Sequence, residues 1–177
     1  MGHLDHLWAG WRSEFVTGAA AAGRPPGDRP PVGGCVFCDI LASGLGDQET
    51  NIVWRHPEGR VVVLLNAYPY TSGHLMVVPV RHVAELEDLT GAEAAELWAA
   101  VTDGVRAIKS AYRPGGVNVG ANLGQAAGAG VPGHFHMHAL PRWAGDTNFM
   151  TSVADARVLP EPLAESAAKL RACWPSC

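Results

Sequence analysis

The 177-residue sequence has no surplus of positive charge, no long apolar run and few cysteines. Its 13 Lys and Arg are outnumbered by 17 Asp and Glu, which gives a formal net charge of −4 at pH 7. Proteins that bind nucleic acid mainly through the phosphate backbone carry a basic excess, so we expect no nucleic-acid partner. The longest apolar runs, 61–65 and 75–80, are far shorter than the ~18 residues of a membrane-spanning helix. The sequence therefore predicts no membrane span.

The first residues also lack the pattern of a secretion signal. Residues 1–11 contain His and Asp, where a signal peptide has a cationic start followed by an unbroken apolar segment. We therefore expect a cytoplasmic protein.

Cysteine is scarce, with four residues in the chain. Cys35 and Cys38 form a C-x-x-C pair, which in a reducing compartment indicates metal binding or redox chemistry rather than a disulfide framework. Cys173 and Cys177 flank Pro175 and are interpreted as part of an incidental tail.

The composition is that of a folded chain, with 47% hydrophobic and 17% charged residues. Within residues 4–15, apolar side chains recur at helical spacing, and 18–34 are rich in Gly and Pro, which break helices and strands. We expect residues 1–34 to form an N-terminal helix-like segment and linker. Residues 35–177 then form one domain with a C-terminal extension.

Local patterns predict a mixed fold. Apolar, β-branched runs predict strands at 52–55, 60–65, 74–80, 117–120 and 134–140. A capping box at Thr90 and Glu93 precedes a helix predicted over 92–112. The side chains expected on its buried face are Leu97, Trp98, Val101, Val105 and Ile108. A last helix is predicted over 161–173. The fold class is therefore α+β, an antiparallel sheet of about five strands with helices on one side.

Residues 134–140 read His-Phe-His-Met-His-Ala-Leu. In a strand this alternation directs His134, His136 and His138 to one face, ~6.7 Å apart along the strand, which suits three separate roles rather than one hydrogen-bonded cluster. A neutral imidazole can attack phosphorus near pH 7 if a backbone carbonyl accepts the proton of its other nitrogen. Each histidine alone would suit a hydrogen-bonded core position, but three in alternation favour a functional site.

A glycine-rich segment precedes the histidines. Glycine allows backbone N–H groups to converge on an anion, so this loop is a candidate phosphate cradle, with Gly128 and Gly130 as candidate contacts. The seven glycines of 115–133 are Gly115, Gly116, Gly120, Gly124, Gly128, Gly130 and Gly133.

The 134–140 pattern resembles the signature His-φ-His-φ-His-φ-φ, with φ apolar, of the histidine triad (HIT) superfamily of nucleotidyl hydrolases and transferases. Residues 64–82, which include Asn66, Gly73-His74 and His82, are similar to the family's strand and turn before its second helix. Segments 7–12 and 141–149 are similar to an actinobacterial branch associated with diadenosine tetraphosphate phosphorylase. The resemblance covers nearly the whole chain and implies a HIT-like fold.

The resemblance also implies a mechanism. His136 would attack the α-phosphate of a nucleotide and form a nucleotidyl-histidine intermediate, which an acceptor then releases. His138 would support the site and help to steady the phosphate. In-line displacement of this kind needs an aligned nucleophile and donors around the phosphate oxygens.

Substrate contacts are implied for four further residues. Asn66 would lie near the ribose and Asn122 near the phosphates, although Asn66 also suits the cap of a turn. Arg142 and Trp143 would either stack on a base or brace the C-terminal extension.

One departure from the family pattern concerns the leaving group. Many members carry a Ser or Thr, often with a Gln, a few residues before the triad, whereas residues 129–133 here are Ala-Gly-Val-Pro-Gly. Backbone N–H groups of the loop, Gln125 or Thr147 are the candidate replacements.

The resemblance further implies a structural zinc ion. Cys35, Cys38, His82 and His134 offer two thiolates and two imidazoles, the ligand set of a closed tetrahedral site, and bacterial relatives carry zinc in this way. Four protein ligands leave no position for water, so such a zinc stabilises the fold. His134 would then be structural while its neighbour His136 is catalytic.

The implied function is cleavage of dinucleoside polyphosphates, with diadenosine tetraphosphate phosphorolysis to ADP and ATP as the first hypothesis. Adenine is the favoured base, inorganic phosphate the acceptor, and a homodimer the expected assembly. Hydrolysis of such substrates or of adenosine phosphoramidates is the nearest alternative. Two others are a metal-dependent enzyme with triad imidazoles on a catalytic ion and a non-catalytic nucleotide-binding module.

Overall fold

A computed structural model describes residues 34–146 and 161–175. These residues all belong to one compact unit. The helix-like segment predicted over 4–15 and all but the last residue of the predicted linker lie outside the described residues, as do Thr147 and Cys177. The division of the chain at residue 34 stays a prediction.

Five antiparallel strands form one sheet in the order β1-β2-β3-β5-β4. Their bounds are Ile52–Arg55 (β1), Val61–Leu65 (β2), Leu75–Pro79 (β3), Gly116–Gly120 (β4) and Met137–Arg142 (β5). All five predicted strands are confirmed, but β5 begins three residues later than predicted. The reason is that His134 N–H donates to Val131 O and Phe135 N–H to Val83 O, so neither group joins the sheet.

Three α-helices occur in the described part of the chain: Val36–Ala42 (α1), Gly91–Tyr112 (α2) and Leu163–Ala172 (α3). The predicted capping box is confirmed, since Thr90 N–H donates to Glu93 Oε2 (2.8 Å) and Glu93 N–H to Thr90 Oγ1 (3.2 Å). Helix α2 ends at Tyr112 and is capped by Arg113, which has a left-handed φ of 46° and precedes Pro114. Helix α1 was not predicted.

Helices α2 and α3 cover one face of the sheet. Leu97, Val101 and Ile108 of α2 are buried there, together with Leu170 of α3. The prediction for Trp98 is wrong, because this side chain is 54% exposed. It follows Leu97 directly, and successive residues point ~100° apart around a helix.

The opposite face of the sheet packs against α1. Phe37 is buried there among Val62, Val78 and Met76, so the prediction of helices on one side holds only for α2 and α3. Met76 pairs with His138 across β3 and β5. Directly opposed residues share a face, so His138 lies on the α1 face, away from the long helix.

Within residues 34–146 and 161–175, no helix is both long and apolar enough to cross a bilayer.

Candidate active site and metal centre

The His136 ring is held by a hydrogen bond at one of its two nitrogens. Its Nδ1–H donates to the backbone carbonyl of His134 (2.9 Å), as predicted from the sequence. This bond fixes the tautomer in which Nε2 keeps its lone pair. The residue is 5% exposed, and burial lowers the pKa of its imidazole against a smaller opposing effect of the backbone bond. His136 is therefore suited to act as a nucleophile near neutral pH.

His138 is held by a fourth histidine, His74, whose role was not predicted from the sequence. Nδ1 of His74 accepts the backbone N–H of Tyr70 (3.1 Å), so its proton must be on Nε2. That Nε2 lies 2.9 Å from Nδ1 of His138 and donates to it. The proton of neutral His138 is consequently on Nε2, where it can be offered to a ligand.

The rings of His136 and His138 lie edge to face with centroids 4.8 Å apart. Burial, followed by repulsion from a protonated His136, lowers the pKa of His138 to about 4, so His138 is neutral at pH 7. Gly120 of β4 is the residue opposite His138, and the space above its Cα is open. The half-buried ring of His138 thus faces open space on the β4 side.

Asn66 lies next to His74. Its Oδ1 accepts the N–H of Tyr68 (2.9 Å), which makes it the cap of a turn, and its Nδ2 lies 3.4 Å from Nδ1 of His74. The geometry supports the turn-cap interpretation of Asn66. Its contact with a ribose stays a prediction.

The four predicted metal ligands come together, although they are far apart in sequence. The ligand atoms of Cys35, Cys38, His82 and His134 all lie within 4.8 Å of one another. The thiol of Cys35 is 3.2 Å from Nδ1 of His134, and that of Cys38 is 3.3 Å from Nδ1 of His82. Ligand atoms on a tetrahedral zinc ion with bonds of 2.0–2.3 Å are roughly 3.6 Å apart, so the spacing fits a metal.

The surroundings of these ligands also suit a cation. His134 donates its Nε2–H to the carbonyl of Pro79 (2.8 Å), which leaves Nδ1 unprotonated toward the sulfur atoms. Burial and the neighbouring thiol of Cys35 raise the pKa of the Cys38 thiol. A divalent cation between the two sulfur atoms would reverse that effect and favour the thiolates. The cluster can therefore hold a metal ion.

The HIT domain family matches residues 46–145, which include His74, His82 and all three triad histidines. The chain belongs to the HIT family. An AP-4-A phosphorylase of Mycobacterium tuberculosis is 41% identical over 172 residues, covering 97% of this chain and 85% of the relative.

Two further relatives of this HIT-family protein bear on its chemistry. An asymmetrical bis(5′-nucleosyl)-tetraphosphatase of Schizosaccharomyces pombe is 35% identical over 46% of the chain and 44% of that protein. A crystal structure of a Zn-bound histidine triad family protein from Mycobacterium smegmatis superposes with a TM-score of 0.63 at 29% identity. The superposition covers 78% of this chain and 91% of the other.

The glycine-rich loop of the HIT domain connects β4 to the triad. Asn122 donates through Nδ2 to the carbonyl of Gly128 (3.3 Å), and Gly128 adopts a left-handed φ of 90° that favours glycine. Gln125 begins a 3₁₀ turn and is exposed, as is Gly130. Asn122 is thus hydrogen-bonded to another residue of the loop. Substrate contacts of Asn122, Gln125, Gly128 and Gly130 stay predictions.

Arg142 is engaged away from the histidine pair. Its guanidinium donates to both carboxylate oxygens of Asp146 (2.6 and 2.7 Å) and to Oδ1 of Asn118 (2.9 Å). It lies four residues, or ~13 Å along a strand, from His138. The ring of Trp143 is 6.3 Å from that of Tyr112. These contacts tie both residues to neighbouring side chains, while base stacking and bracing of the C-terminal extension both stay predictions.

Proposed function

We propose that this HIT-family protein cleaves dinucleoside polyphosphates through a nucleotidyl-histidine intermediate on His136. Phosphorolysis of diadenosine tetraphosphate to ADP and ATP is the reaction that we favour. The observation that carries the proposal is the Nδ1–H bond from His136 to the His134 carbonyl, because it leaves a neutral nucleophilic Nε2. The 41% identity to an AP-4-A phosphorylase over 97% of the chain supports the choice of substrate.

In the first half-reaction, Nε2 of His136 attacks the α-phosphorus of the dinucleotide. The N–P bond forms as the bond from that phosphorus to the bridging oxygen breaks, and ATP leaves with the bond's electron pair. The ring then carries a positive charge, which the carbonyl of His134 stabilises through the retained Nδ1–H bond.

His138 supplies the donor that the loop sequence lacks. Because His74 occupies its Nδ1, His138 offers an Nε2–H beside the nucleophile. We infer that this N–H donates to the leaving oxygen, in place of the Ser or Thr of other family members. Charge developing on that oxygen strengthens the hydrogen bond in the transition state.

The second half-reaction returns His136 to its free state. Inorganic phosphate attacks the nucleotidyl phosphorus and releases ADP, or water attacks and releases AMP. Hydrolysis is the second candidate function, favoured by the similarity to a bis(5′-nucleosyl)-tetraphosphatase. Adenine as the base and phosphate as the acceptor are parts of the proposal. A homodimer and a cytoplasmic location likewise stay predictions.

The ion proposed for Cys35, Cys38, His82 and His134 is zinc. Two thiolates and two imidazoles are a closed zinc set, and a structurally similar HIT protein is zinc-bound. In the described part of the chain, no cluster of three or more metal-ligating side chains includes His136 or His138. This favours a structural metal over a catalytic one.

The proposal is tested by product analysis with purified protein and diadenosine tetraphosphate, with and without inorganic phosphate. Phosphate-dependent formation of ADP and ATP in equal amounts is the expected result. AMP and ATP in both reactions would instead assign hydrolysis, and no cleavage by the wild type would contradict both enzyme functions.

A further inference from the structure

The position of His74 depends on the turn that precedes it. Its Nδ1 accepts the N–H of Tyr70, and its Nε2–H must point at His138. The ring of Tyr70 also packs on that of His74, with centroids 4.8 Å apart. Anything that fixes residues 70–73 therefore fixes the orientation of the His74–His138 pair.

Tyr112, the last residue of α2, lies directly against this turn. Gly73 has a left-handed φ of 79°, and a Cβ built there would be 2.5 Å from Cε2 of Tyr112. Real side chains do not approach that closely, so the Tyr112 ring rests on the backbone of the residue immediately before His74. Only glycine permits both the conformation and the contact.

Tyr112 is in turn held by the C-terminal segment, which lies beyond the residues matched by the HIT family. Its hydroxyl donates to Glu161. The same carboxylate accepts from Ser166 (2.6 Å) and pairs with Lys169. Glu161 thus collects contacts from both α3 and the end of α2.

Helix α3 itself is firmly anchored. Leu170 is fully buried, and the guanidinium of Arg171 donates to the carbonyls of Ile52 and Asp47. Trp174 stacks on Trp54 with ring centroids 5.4 Å apart. Helix α3 is therefore part of the core. It carries Ser166 and Lys169, two of the partners of Glu161.

We propose that Tyr112 is a positioning residue for the reaction: supported by Glu161, its ring holds the Tyr70–His74 turn so that His74 keeps the Nε2–H of His138 directed at the leaving group. The proposal rests on the proposed function. In this account the C-terminal segment supports the active site through an unbroken set of contacts from Glu161 to His138.

Three variants of the full-length, zinc-loaded protein test the proposal. Tyr112→Ala removes the ring, whereas Tyr112→Phe keeps the ring and loses only the bond to Glu161. Trp174→Ala is the matched control, because it removes an aromatic contact of the same C-terminal segment that is made with Trp54 and not with Gly73. All are compared at a temperature at which each is folded. Should Tyr112→Ala not fold, Tyr112→Leu takes its place.

The first readout is the His74 Nε2–H proton, observed by NMR in protein labelled with ¹⁵N-histidine. We expect it to be protected in the wild type and in Trp174→Ala. In Tyr112→Phe, which keeps the ring but loses the support of Glu161, we expect exchange at a rate between those of the wild type and Tyr112→Ala. In Tyr112→Ala its exchange with solvent should be at least ~10-fold faster, since the turn that orients the ring is released.

The second readout compares the phenyl and 4-nitrophenyl esters of AMP, whose leaving groups differ in basicity more than in size. A misdirected His138 should lower kcat for the phenyl ester at least ~10-fold more than for the nitrophenyl ester, with KM changed less than ~3-fold. The proposal would be overturned if Tyr112→Ala lowered kcat equally for both esters. It would also be overturned if the His74 Nε2–H proton exchanged as slowly in Tyr112→Ala as in the wild type.

These outcomes separate the two proposals. A wild type that forms no nucleotidyl adduct refutes the proposed function, while the NMR readout still decides whether Tyr112 orients His74. An adduct in the wild type together with an unchanged His74 proton in Tyr112→Ala refutes the positioning role alone.

Discussion

Nε2 of His74 donates to Nδ1 of His138 across 2.9 Å, although the two residues are 64 positions apart in the sequence. The bond is possible because His74 stands just before β3, next to the strand that carries His138. It determines which nitrogen of His138 carries the proton. A HIT site with three histidines in its signature therefore depends on a fourth.

Replacing His74 tests that dependence. In His74→Ala, we expect kcat for diadenosine tetraphosphate to fall ~10²-fold, because the Nε2–H of His138 is no longer directed at the leaving oxygen. His74→Gln retains an amide donor and should recover part of the rate. His56→Gln is the control, because His56 is half-buried against Trp54 and Glu96, and its kcat should equal that of the wild type. Full activity of His74→Ala in steady-state assays would show that the hydrogen bond from His74 to His138 is not needed for the reaction.

Metal removal should affect stability. If a metal fills the site at ~100 times its Kd, chelation lowers the stability by ~2.7 kcal/mol and the Tm by roughly 5–10 °C. His82→Ala should contain little zinc by elemental analysis, and chelator should barely change its Tm. Because the His82 side chain is exposed, its own loss costs little packing. Equal chelator effects on both proteins would refute the assignment of His82.

The buried carboxylate of Glu93 should make the protein sensitive to acid. Hydrogen bonds from Arg81, followed by the N–H of Thr90, lower its pKa to about 2 from 4.5. This stabilisation is complete above pH 4.5 and is lost as the pH falls from there toward 2. Between pH 6 and 3, wild type should lose ~1–3 kcal/mol more stability in urea than Glu93→Gln.

The exposed Glu87 provides the control for that experiment, since Glu87→Gln should follow the wild type. If Glu93→Gln is as acid-sensitive as the wild type, the ion pair with Arg81 does not contribute as described.

Arg142 gives a test between the two interpretations of its position. As a brace whose exposed guanidinium pairs with the carboxylate of Asp146, it should contribute up to ~1 kcal/mol, so Arg142→Gln should lower the Tm slightly. KM for diadenosine tetraphosphate should stay within ~2-fold of the wild type. Asp146→Asn should have the same effect. A large rise in KM in Arg142→Gln alone would favour base stacking.

The sequence predicted most of the sheet and the long helix because their signals are local. Alternating or β-branched runs identify β1 to β5, and the Thr90 capping box identifies the start of α2. Helix α1 was missed because its seven residues have no side-chain cap. Its position is set by Phe37, which is buried against distant strands and is a tertiary effect.

The candidate site was predicted in part for the same reason. The triad is a contiguous pattern, and the tautomer of His136 follows from a carbonyl only two residues away. His74 was missed because a single histidine at the start of an apolar run has no local signal, and its partner lies on another strand. The signal that could have identified it is the Gly73-His74 step within the segment that resembles the family.

The central claim is the bond between His136 Nε2 and phosphorus, and intact mass spectrometry measures it most directly. Rapid quenching of the wild type with diadenosine tetraphosphate should show the protein with one added AMP, and His136→Asn should show none. A wild type without the adduct, or an equally abundant adduct on His136→Asn, would contradict the account.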